Sequence, residues 1–399
     1  MSDRLPTAVR LAELDQVELT VEKLVAGGDG LGRFESIPLF VPRSAPGDRL
    51  RVRIVERRPD YGRAEIVEIL EPGPGRREPP CPYFERCGGC DLQHLEDARQ
   101  VELKAMAVRE TLRRVGGLDL PSDTEIVAGP MWGYRVRTQL HTRTADGRVE
   151  VGYFARGSHE LVPVASCPIL TPELEGLLPV LPERLGADPP RRLDVLAGDH
   201  GICTAPVAGD LPHGEVSIRV GSYRYALDAR CFFQAHGSLV ERLVAAAVGP
   251  WEGDRAVDLY AGVGLLSLPL AARYRAVTAV EGDRIAARYA RKNATVHRLG
   301  GLRVEATAVE SWVASLPAGL DRLVVDPPRT GLPKTVREAV LRAAPERLTY
   351  VSCHAATLAR DLRSFTTEYH LESARLLDLF PQSGHMEVVA QLVRERMGG

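Results

Sequence analysis

The chain has 399 residues, of which 44% are hydrophobic and 26% are charged, and its formal net charge is −2. A chain of this length is expected to form two or three domains rather than one core. The composition is typical of a soluble globular protein. The slightly negative charge argues against a generally basic polyanion-binding protein, so any contacts with nucleic acid must come from local patches.

The first ten residues, MSDRLPTAVR, have no apolar core followed by a small-residue cleavage site, which argues against a secretory signal. No stretch approaches the ~18 consecutive apolar residues that a membrane-spanning helix needs. We therefore expect a cytoplasmic, monomeric protein with no membrane partner. The seven cysteines of such a chain are not expected to form disulfides.

The first part of the chain, residues 1–72, alternates short strand-like runs with glycine-rich and proline-rich turns, which predicts a small β-barrel. A proline- and glycine-rich linker follows at 71–82. Residues 73–228 are expected to form a central β-rich domain that carries a cysteine cluster. Within it, residues 95–117 show helical spacing and end at two glycines.

Residues 229–399 alternate strand-like and helix-like runs at intervals of about 20–25 residues, the pattern of a doubly wound parallel α/β sheet. The last two strand-like runs, ESARLLDLF and MEVVAQLVR, are separated by a short loop. We expect them to be an antiparallel pair at one edge of the sheet.

A glycine-rich turn, D-x-x-x-G-x-G, ends the first strand of this α/β domain. Gly262 and Gly264 allow close approach of a ligand, and Glu281 follows at the end of the second strand, where a carboxylate can bind ribose hydroxyls. The alternative is a tight turn beside a solvated acid. Because the third glycine of a dinucleotide fingerprint is missing, S-adenosylmethionine fits this turn better than NAD.

A candidate reaction centre lies at the ends of the fourth and fifth strands, which close with Asp326 and Cys353. A helix begins directly after Cys353, and its N-terminus is expected to stabilise a thiolate; the alternative is an ordinary buried cysteine. A thiolate that adds to C6 of uracil makes C5 nucleophilic, and a base must later remove the C5 proton. Glu387 is the candidate base, although an exposed edge-strand acid would have the same spacing.

Three cysteines, Cys81, Cys87 and Cys90, lie within ten residues in a glycine-containing loop, a spacing that indicates metal ligands. Cys167 is the best candidate for a fourth ligand. Zinc sites usually have two paired knuckles, so this pattern favours an iron–sulfur cluster. Cys203 and Cys231 have no such context and are predicted to be core residues.

Two stretches combine basic and aromatic residues. In the first, strand alternation places Arg49, Arg51 and Arg53 on one face, although an ordinary solvated face would look the same. The second runs from Trp132 to Arg156. Mixtures of charge and stacking surface bind single-stranded RNA. Since C5 is covered in a stacked helix, the target uridine is expected to flip out of its stack.

These motifs together resemble the RNA uridine-C5 methyltransferase family, and the resemblance covers nearly the whole chain. It implies an N-terminal TRAM domain similar to oligonucleotide-binding barrels, a C-terminal seven-stranded methyltransferase sheet, and an rRNA or tRNA substrate. It also implies a [4Fe-4S] cluster on the four cysteines named above, Cys353 as nucleophile and Glu387 as base. The residues that it implies in binding of S-adenosylmethionine are Gln234, Tyr260, Gly262, Gly264, Leu265, Glu281 and Asp326.

The chain departs from the family pattern at three points. His354 and His236 stand where asparagine is common, and the acid often found after the third strand is missing near Thr307.

Three alternative functions make different demands on these residues. A cytosine-C5 enzyme would be expected to have a cysteine in the Asp326 motif, and an amino-group methyltransferase would have an aromatic residue in place of Arg329. A non-catalytic iron–sulfur RNA-binding protein would not need Cys353.

Overall fold

The computed structural model describes residues 15–395, so the outermost residues of the predicted 1–72 and 229–399 domains lie outside the described part. The chain divides into two compact units. One runs to Glu110 and includes Phe380–His385; the other comprises Thr111–Leu379 and the chain from Met386 onward. The finer division into domains 1–72, 73–228 and 229–399 stays a prediction.

A closed barrel of five strands lies in the first unit. Its strands are β1 (Gln16–Leu24), β2 (Gly30–Phe34), β3 (Ile37–Val41), β4 (Arg49–Arg57) and β5 (Gly62–Glu71). They neighbour one another in the order β1-β2-β3-β5-β4. Apolar residues alternate with polar ones along β1 and β4, so one side of each strand fills the barrel core, with Leu39, Leu50 and Val52 fully buried. The predicted N-terminal barrel is confirmed.

The arginine face of β4 is present, but it is not an uncompensated basic patch. Arg49 contacts Glu71 at 2.6 Å, and Arg51 and Arg53 contact glutamates of β5 at 2.5 and 2.8 Å. Glu18 on β1 also approaches Arg49 and Arg51. The placement of the three arginines on one face is confirmed, and its role in RNA binding stays a prediction. The acids that pair with them come from neighbouring strands, which the local sequence does not show.

The predicted helix at 95–117 is α1 (Asp97–Thr111), which continues as a π-helical turn over Leu112–Gly116. Gly117 follows with a φ of 66°, in the left-handed region that glycine adopts without strain. The two glycines therefore end the helix as the sequence indicates.

In the second unit, a five-stranded antiparallel sheet has the order β11-β10-β7-β8-β9, and a separate hairpin pairs β12 with β13. The elements up to this hairpin are β6 (Glu125–Val127), β7 (Arg137–Ala145), β8 (Arg148–Phe154), β9 (Leu161–Pro163), α2 (Pro172–Glu175), α3 (Leu181–Arg184), β10 (Arg192–Gly198), β11 (Gly201–Ala205), β12 (Val216–Val220) and β13 (Tyr223–Leu227). Cys203 and Cys231 are buried in the hydrophobic core beside this hairpin, as predicted.

The remaining elements build the large α/β sheet and its helices. They are α4 (Val240–Val248), β14 (Gly253–Leu259), α5 (Ser267–Ala271), β15 (Tyr274–Glu281), α6 (Arg284–Val296), β16 (Leu302–Ala306), α7 (Val309–Trp312), β17 (Arg322–Val325), α8 (Lys334–Ala343), β18 (Arg347–Ser352), α9 (Ala355–Arg363), β19 (Tyr369–Leu377) and β20 (Glu387–Arg394).

This sheet has the order β16-β15-β14-β17-β18-β20-β19-β6. The five strands from β14 to β18 pair in parallel, and the order reverses next to β14, as in a doubly wound sheet. The predicted antiparallel pair is confirmed as β19 and β20. It is not at the edge, however, because the short strand β6 pairs in parallel with β19. The described sheet therefore has eight strands instead of the expected seven.

Among residues 15–395, no helix is both long and apolar enough to span a membrane. The expected cytoplasmic location and monomeric state stay predictions.

Candidate active site

The glycine-rich turn after β14 is tied to the end of β15 by a carboxylate. Glu281 accepts a hydrogen bond from the Gly262 amide at 2.7 Å and another from the Asp283 amide at 2.7 Å. Gly262 has a φ of 56°, and a Cβ added there would meet nothing within 4 Å. The turn thus leaves open space above its backbone. Because a carboxylate has about four acceptor sites, Glu281 keeps acceptor capacity for a ligand.

Asp258, at the end of β14, is a buried acid that begins the glycine motif. The sequence alone did not indicate any further role for it. Its side chain is 1% exposed; one carboxylate oxygen accepts a hydrogen bond from Ser267, and the other has no hydrogen-bond partner. Burial raises the pKa of Asp258 to about 7, and the nearby charges of Asp326 and Glu281 act in the same direction. Three carboxyl groups therefore lie close together at the carboxyl ends of β14, β15 and β17.

Tyr260 follows β14 with a φ of 64°, an uncommon value for a residue with a side chain. Its hydroxyl donates a hydrogen bond to Glu310 at 3.1 Å. Glu310 lies on α7, three residues beyond Thr307, where an acid was expected and is missing. The acid near this part of the site is therefore Glu310 of the following helix, which the sequence pattern did not single out.

Cys353 and Glu387 come together through the register of two antiparallel strands. Ser352 at the end of β18 pairs with Val388 of β20, so the next residues outward on the two strands are Cys353 and Glu387. Glu387 is 2% exposed. The alternative of a solvated edge-strand acid is therefore wrong, because β20 lies between two other strands of the sheet.

Burial raises the pKa of the Cys353 thiol to about 11, and the charges of Glu387 and Asp326 add to this effect. Arg329, which hydrogen-bonds the thiol, opposes it. The pKa values of the two carboxyl groups are also raised by burial, to about 7 for Asp326 and well above the ordinary value for Glu387. Arg329 is thus the cation that favours the ionised forms of both Cys353 and Glu387.

The stabilisation of a thiolate at Cys353 by the helix N-terminus stays a prediction. Cys353 precedes the residue that caps α9, and its burial beside two carboxyl groups disfavours the ionised form, while Arg329 favours it.

His354 replaces the common asparagine with another capping group. Its Nδ1 accepts a hydrogen bond from the Thr357 amide at 3.3 Å, at the N-terminus of α9. Asparagine is a preferred N-cap because its side chain accepts the same kind of hydrogen bond. His354 therefore caps α9 even though it departs from the family pattern. His236 is fully buried and stacks on Tyr134 with ring centroids 4.6 Å apart.

The other residues implied in cofactor binding occupy separate positions. Gln234 is buried in the segment between β13 and α4, and no hydrogen bond among the described residues links it to Glu281 or Asp326. Leu265 is half-buried, and its carbonyl accepts a hydrogen bond from Tyr225 at 2.9 Å. Beside Gln234, Phe232 is 62% exposed, an aromatic surface that the sequence reasoning did not single out.

The predicted metal ligands are distributed over both units. Cys81, Cys87 and Cys90 belong to the first unit and Cys167 to the second. The Cys87 sulfur accepts a hydrogen bond from the Gly89 amide at 3.4 Å, an interaction that also tunes the sulfurs of iron–sulfur clusters. None of the described cysteines forms a disulfide. Within residues 15–395, however, no three or more histidine, cysteine or acidic side chains converge in a way that could hold a metal ion.

The chain matches three family models in different parts of its length. The model of the tRNA (uracil-5-)-methyltransferase family matches residues 318–395, the TRAM domain matches 14–67, and the methyltransferase small domain matches 235–351. The 23S rRNA (uracil(1939)-C(5))-methyltransferase RlmD of Pectobacterium atrosepticum is 33% identical over 98% of this chain and 97% of its own. The chain belongs to the RNA uracil-C5 methyltransferase family.

Two further matches agree with this assignment. An uncharacterized RNA methyltransferase of Thermosynechococcus vestitus is 31% identical over 94% of this chain and 97% of its own. The crystal structure of the Pyrococcus abyssi tRNA (uracil-54, C5)-methyltransferase in complex with S-adenosyl-L-homocysteine has a TM-score of 0.73 and 24% identity, and the match covers 94% of this chain and all of that one. At this identity the structural likeness establishes the fold.

Proposed function

We propose that this enzyme transfers a methyl group from S-adenosylmethionine to C5 of a uridine in rRNA or tRNA, through a covalent bond between Cys353 and C6. The observation that carries the proposal is the position of Glu387 directly across the strand pair from Cys353, both next to Asp326 and Arg329. A half-buried thiol beside a buried carboxyl group supplies the nucleophile and the base that this chemistry needs.

The residues around the glycine turn suit the methyl donor. The open space at Gly262, the remaining acceptor capacity of Glu281 and the unpartnered oxygen of Asp258 together offer polar groups that suit a nucleoside. When bound, S-adenosylmethionine supplies an electrophilic methyl group on a positively charged sulfur. Gln234, Tyr260, Gly264, Leu265 and Asp326 complete the proposed binding residues.

In the proposed reaction, the Cys353 thiol gives its proton to solvent water and the thiolate adds to C6, so that a C–S bond forms and the ring becomes an enolate with electron density on C5. C5 then forms a bond to the methyl carbon as the methyl–sulfur bond breaks. Glu387 removes the remaining C5 proton, the C5–C6 double bond returns, and the C6–S bond breaks to release the thiolate. Arg329 favours the ionised form of both groups.

The product distinguishes this proposal from its alternatives. The protein is incubated with methyl-labelled S-adenosylmethionine and unmodified transcripts of either rRNA or tRNA, and the digested nucleosides are then separated. We expect label in 5-methyluridine, with a reaction lacking RNA as the control. The whole-chain similarity to RlmD makes rRNA the first substrate to test. Label in methylcytidine or methyladenosine, or in no nucleoside of either RNA, would overturn the proposal.

Glu281 gives a test of the cofactor site alone. We expect Glu281→Gln to weaken the binding of S-adenosylmethionine by roughly 10- to 100-fold, because charge-assisted hydrogen bonds contribute about 1.5–3 kcal/mol each. Calorimetric titration without RNA measures this change. Glu252→Gln is the matched control, because Glu252 is exposed and directly precedes the start of β14. This variant should bind S-adenosylmethionine with wild-type affinity. Equal affinity of the two variants would contradict the assigned role of Glu281.

We also propose that Cys81, Cys87, Cys90 and Cys167 bind a [4Fe-4S] cluster. Support comes from the spacing of the thiols and from the amide that donates to the Cys87 sulfur. No reaction step is assigned to the cluster, because its ligands are not gathered in the described structure. Protein purified without oxygen is expected to contain about four iron and four sulfide per chain, and Cys87→Ser should lose both. Zinc without sulfide would refute the cluster.

A further inference from the structure

The second unit contains a cavity of about 560 Å³ on the five-stranded sheet, and none of its lining residues belongs to the proposed active site. Its volume falls within the ~300–1,000 Å³ typical of ligand pockets. Three rings line one side. His141 stacks on Phe154 with centroids 3.7 Å apart, and His159 meets Phe154 edge-on at 5.3 Å. The cavity therefore offers a built aromatic surface, which suits a flat aromatic ligand.

One cation that lines the cavity is available to a phosphate. Three arginines and two carboxyl groups, those of Glu160 and Asp188, line the cavity. Arg143 is bound to Glu150 at 2.9 Å and Arg192 to Asp194 at 3.0 Å. Arg191 is exposed and forms no ion pair with any residue between 15 and 395. An exposed arginine beside an aromatic surface suits a nucleotide whose base lies on the rings and whose phosphate contacts Arg191.

Several other basic and aromatic residues between Trp132 and Arg156 are occupied by contacts within the fold. Tyr153 hydrogen-bonds Thr138 at 2.8 Å, and burial raises the pKa of its hydroxyl. Tyr134 is 7% exposed and stacks on His236. Arg137 is half-buried, 3.5 Å from Asp194. Of the arginines, tyrosines and phenylalanines between Trp132 and Arg156, Arg143 and Phe154 line the cavity.

We propose that this cavity binds a second nucleotide of the RNA substrate, one that is not the methylated uridine. The inference rests on the proposed RNA substrate and adds a recognition site to it. The cavity lining includes neither Cys353 nor Glu387, so a base held here is positioned but does not react. Such a site would select RNAs in which a second base is unstacked near the target, since single-stranded bases are recognised by stacking.

The test measures RNA affinity rather than methylation. The full-length protein is titrated with a fluorescein-labelled single-stranded RNA of mixed sequence at several salt concentrations. Phe154→Leu, which keeps an apolar side chain but removes the ring, is expected to raise the dissociation constant about tenfold. Arg191→Gln is expected to lower the slope of log affinity against log salt by about 0.7. Arg148→Gln, the same change at the exposed start of β8 and outside the cavity lining, should leave the slope unchanged.

Binding of S-adenosylmethionine and the thermal unfolding temperature serve as structural controls, and both should stay at wild-type values in Arg191→Gln. If Phe154→Leu does not fold, Arg191→Gln decides the question alone, because its side chain is exposed. Unchanged affinity and slope in Arg191→Gln, in a wild-type enzyme that forms 5-methyluridine, would overturn the second site and leave the proposed function intact. Loss of RNA affinity in a protein that methylates no uridine would overturn the proposed function instead.

Discussion

Replacing Cys353 with alanine is expected to lower methyl transfer by roughly 10⁴-fold or more, as removal of a catalytic nucleophile does in other enzymes. The reason is that C5 of uracil does not attack a methyl group unless a nucleophile has added at C6. The variant should still bind S-adenosylmethionine with normal affinity, because the glycine turn and Glu281 are unchanged. Transfer of labelled methyl to RNA under single-turnover conditions measures the loss.

The matched control for this substitution is Cys203→Ala, which removes another buried thiol of the second unit. It should retain activity. If Cys353→Ala kept the wild-type rate of methyl transfer, the thiol would have no role in the reaction, and the covalent mechanism would be overturned.

Replacing Glu387 with glutamine is expected to stop the reaction after methyl transfer rather than before it. The amide cannot remove the C5 proton, so the thiolate cannot leave, and the methylated RNA should stay covalently attached to Cys353. Turnover should fall by about 10²- to 10⁴-fold, the usual contribution of a general base. A denaturing gel with labelled RNA would show the adduct as a band of reduced mobility.

Two controls make this result specific. Glu372→Gln, on the exposed side of β19 and bound to Arg347 at 2.6 Å, should turn over normally and accumulate no band. The double variant Cys353→Ala with Glu387→Gln should also lack the band, since it has no thiol. Normal turnover by Glu387→Gln would show that another group takes the C5 proton.

Local sequence patterns were enough to predict the barrel, the doubly wound sheet and the helix that ends at Gly117. Each of these depends on residues close together in the chain: alternation along β1 and β4, the glycine turn after β14, and glycine in a left-handed conformation. Such features are decided by local sterics and by the periodic burial of side chains.

Features that depend on cross-strand neighbours were harder to predict. The arginines of β4 looked like a basic patch, but glutamates of β1 and β5 neutralise them. The eighth strand comes from Glu125–Val127, about 240 residues before its partner β19. The local sequence pattern around the arginines does not show the acids of neighbouring strands, and the pattern around β19 does not show that a distant three-residue strand pairs with it.

The sequence by itself singled out the two proposed reacting groups, Cys353 at the end of one strand and Glu387 at the start of another, and indicated the family. Only the tertiary structure decided that they face each other across β18 and β20, with Glu387 buried and Cys353 half-buried. It also decided which charges surround Cys353, and burial together with Glu387 and Asp326 raises the pKa of its thiol. These charges come from segments far apart in the chain, which the local sequence pattern does not bring together.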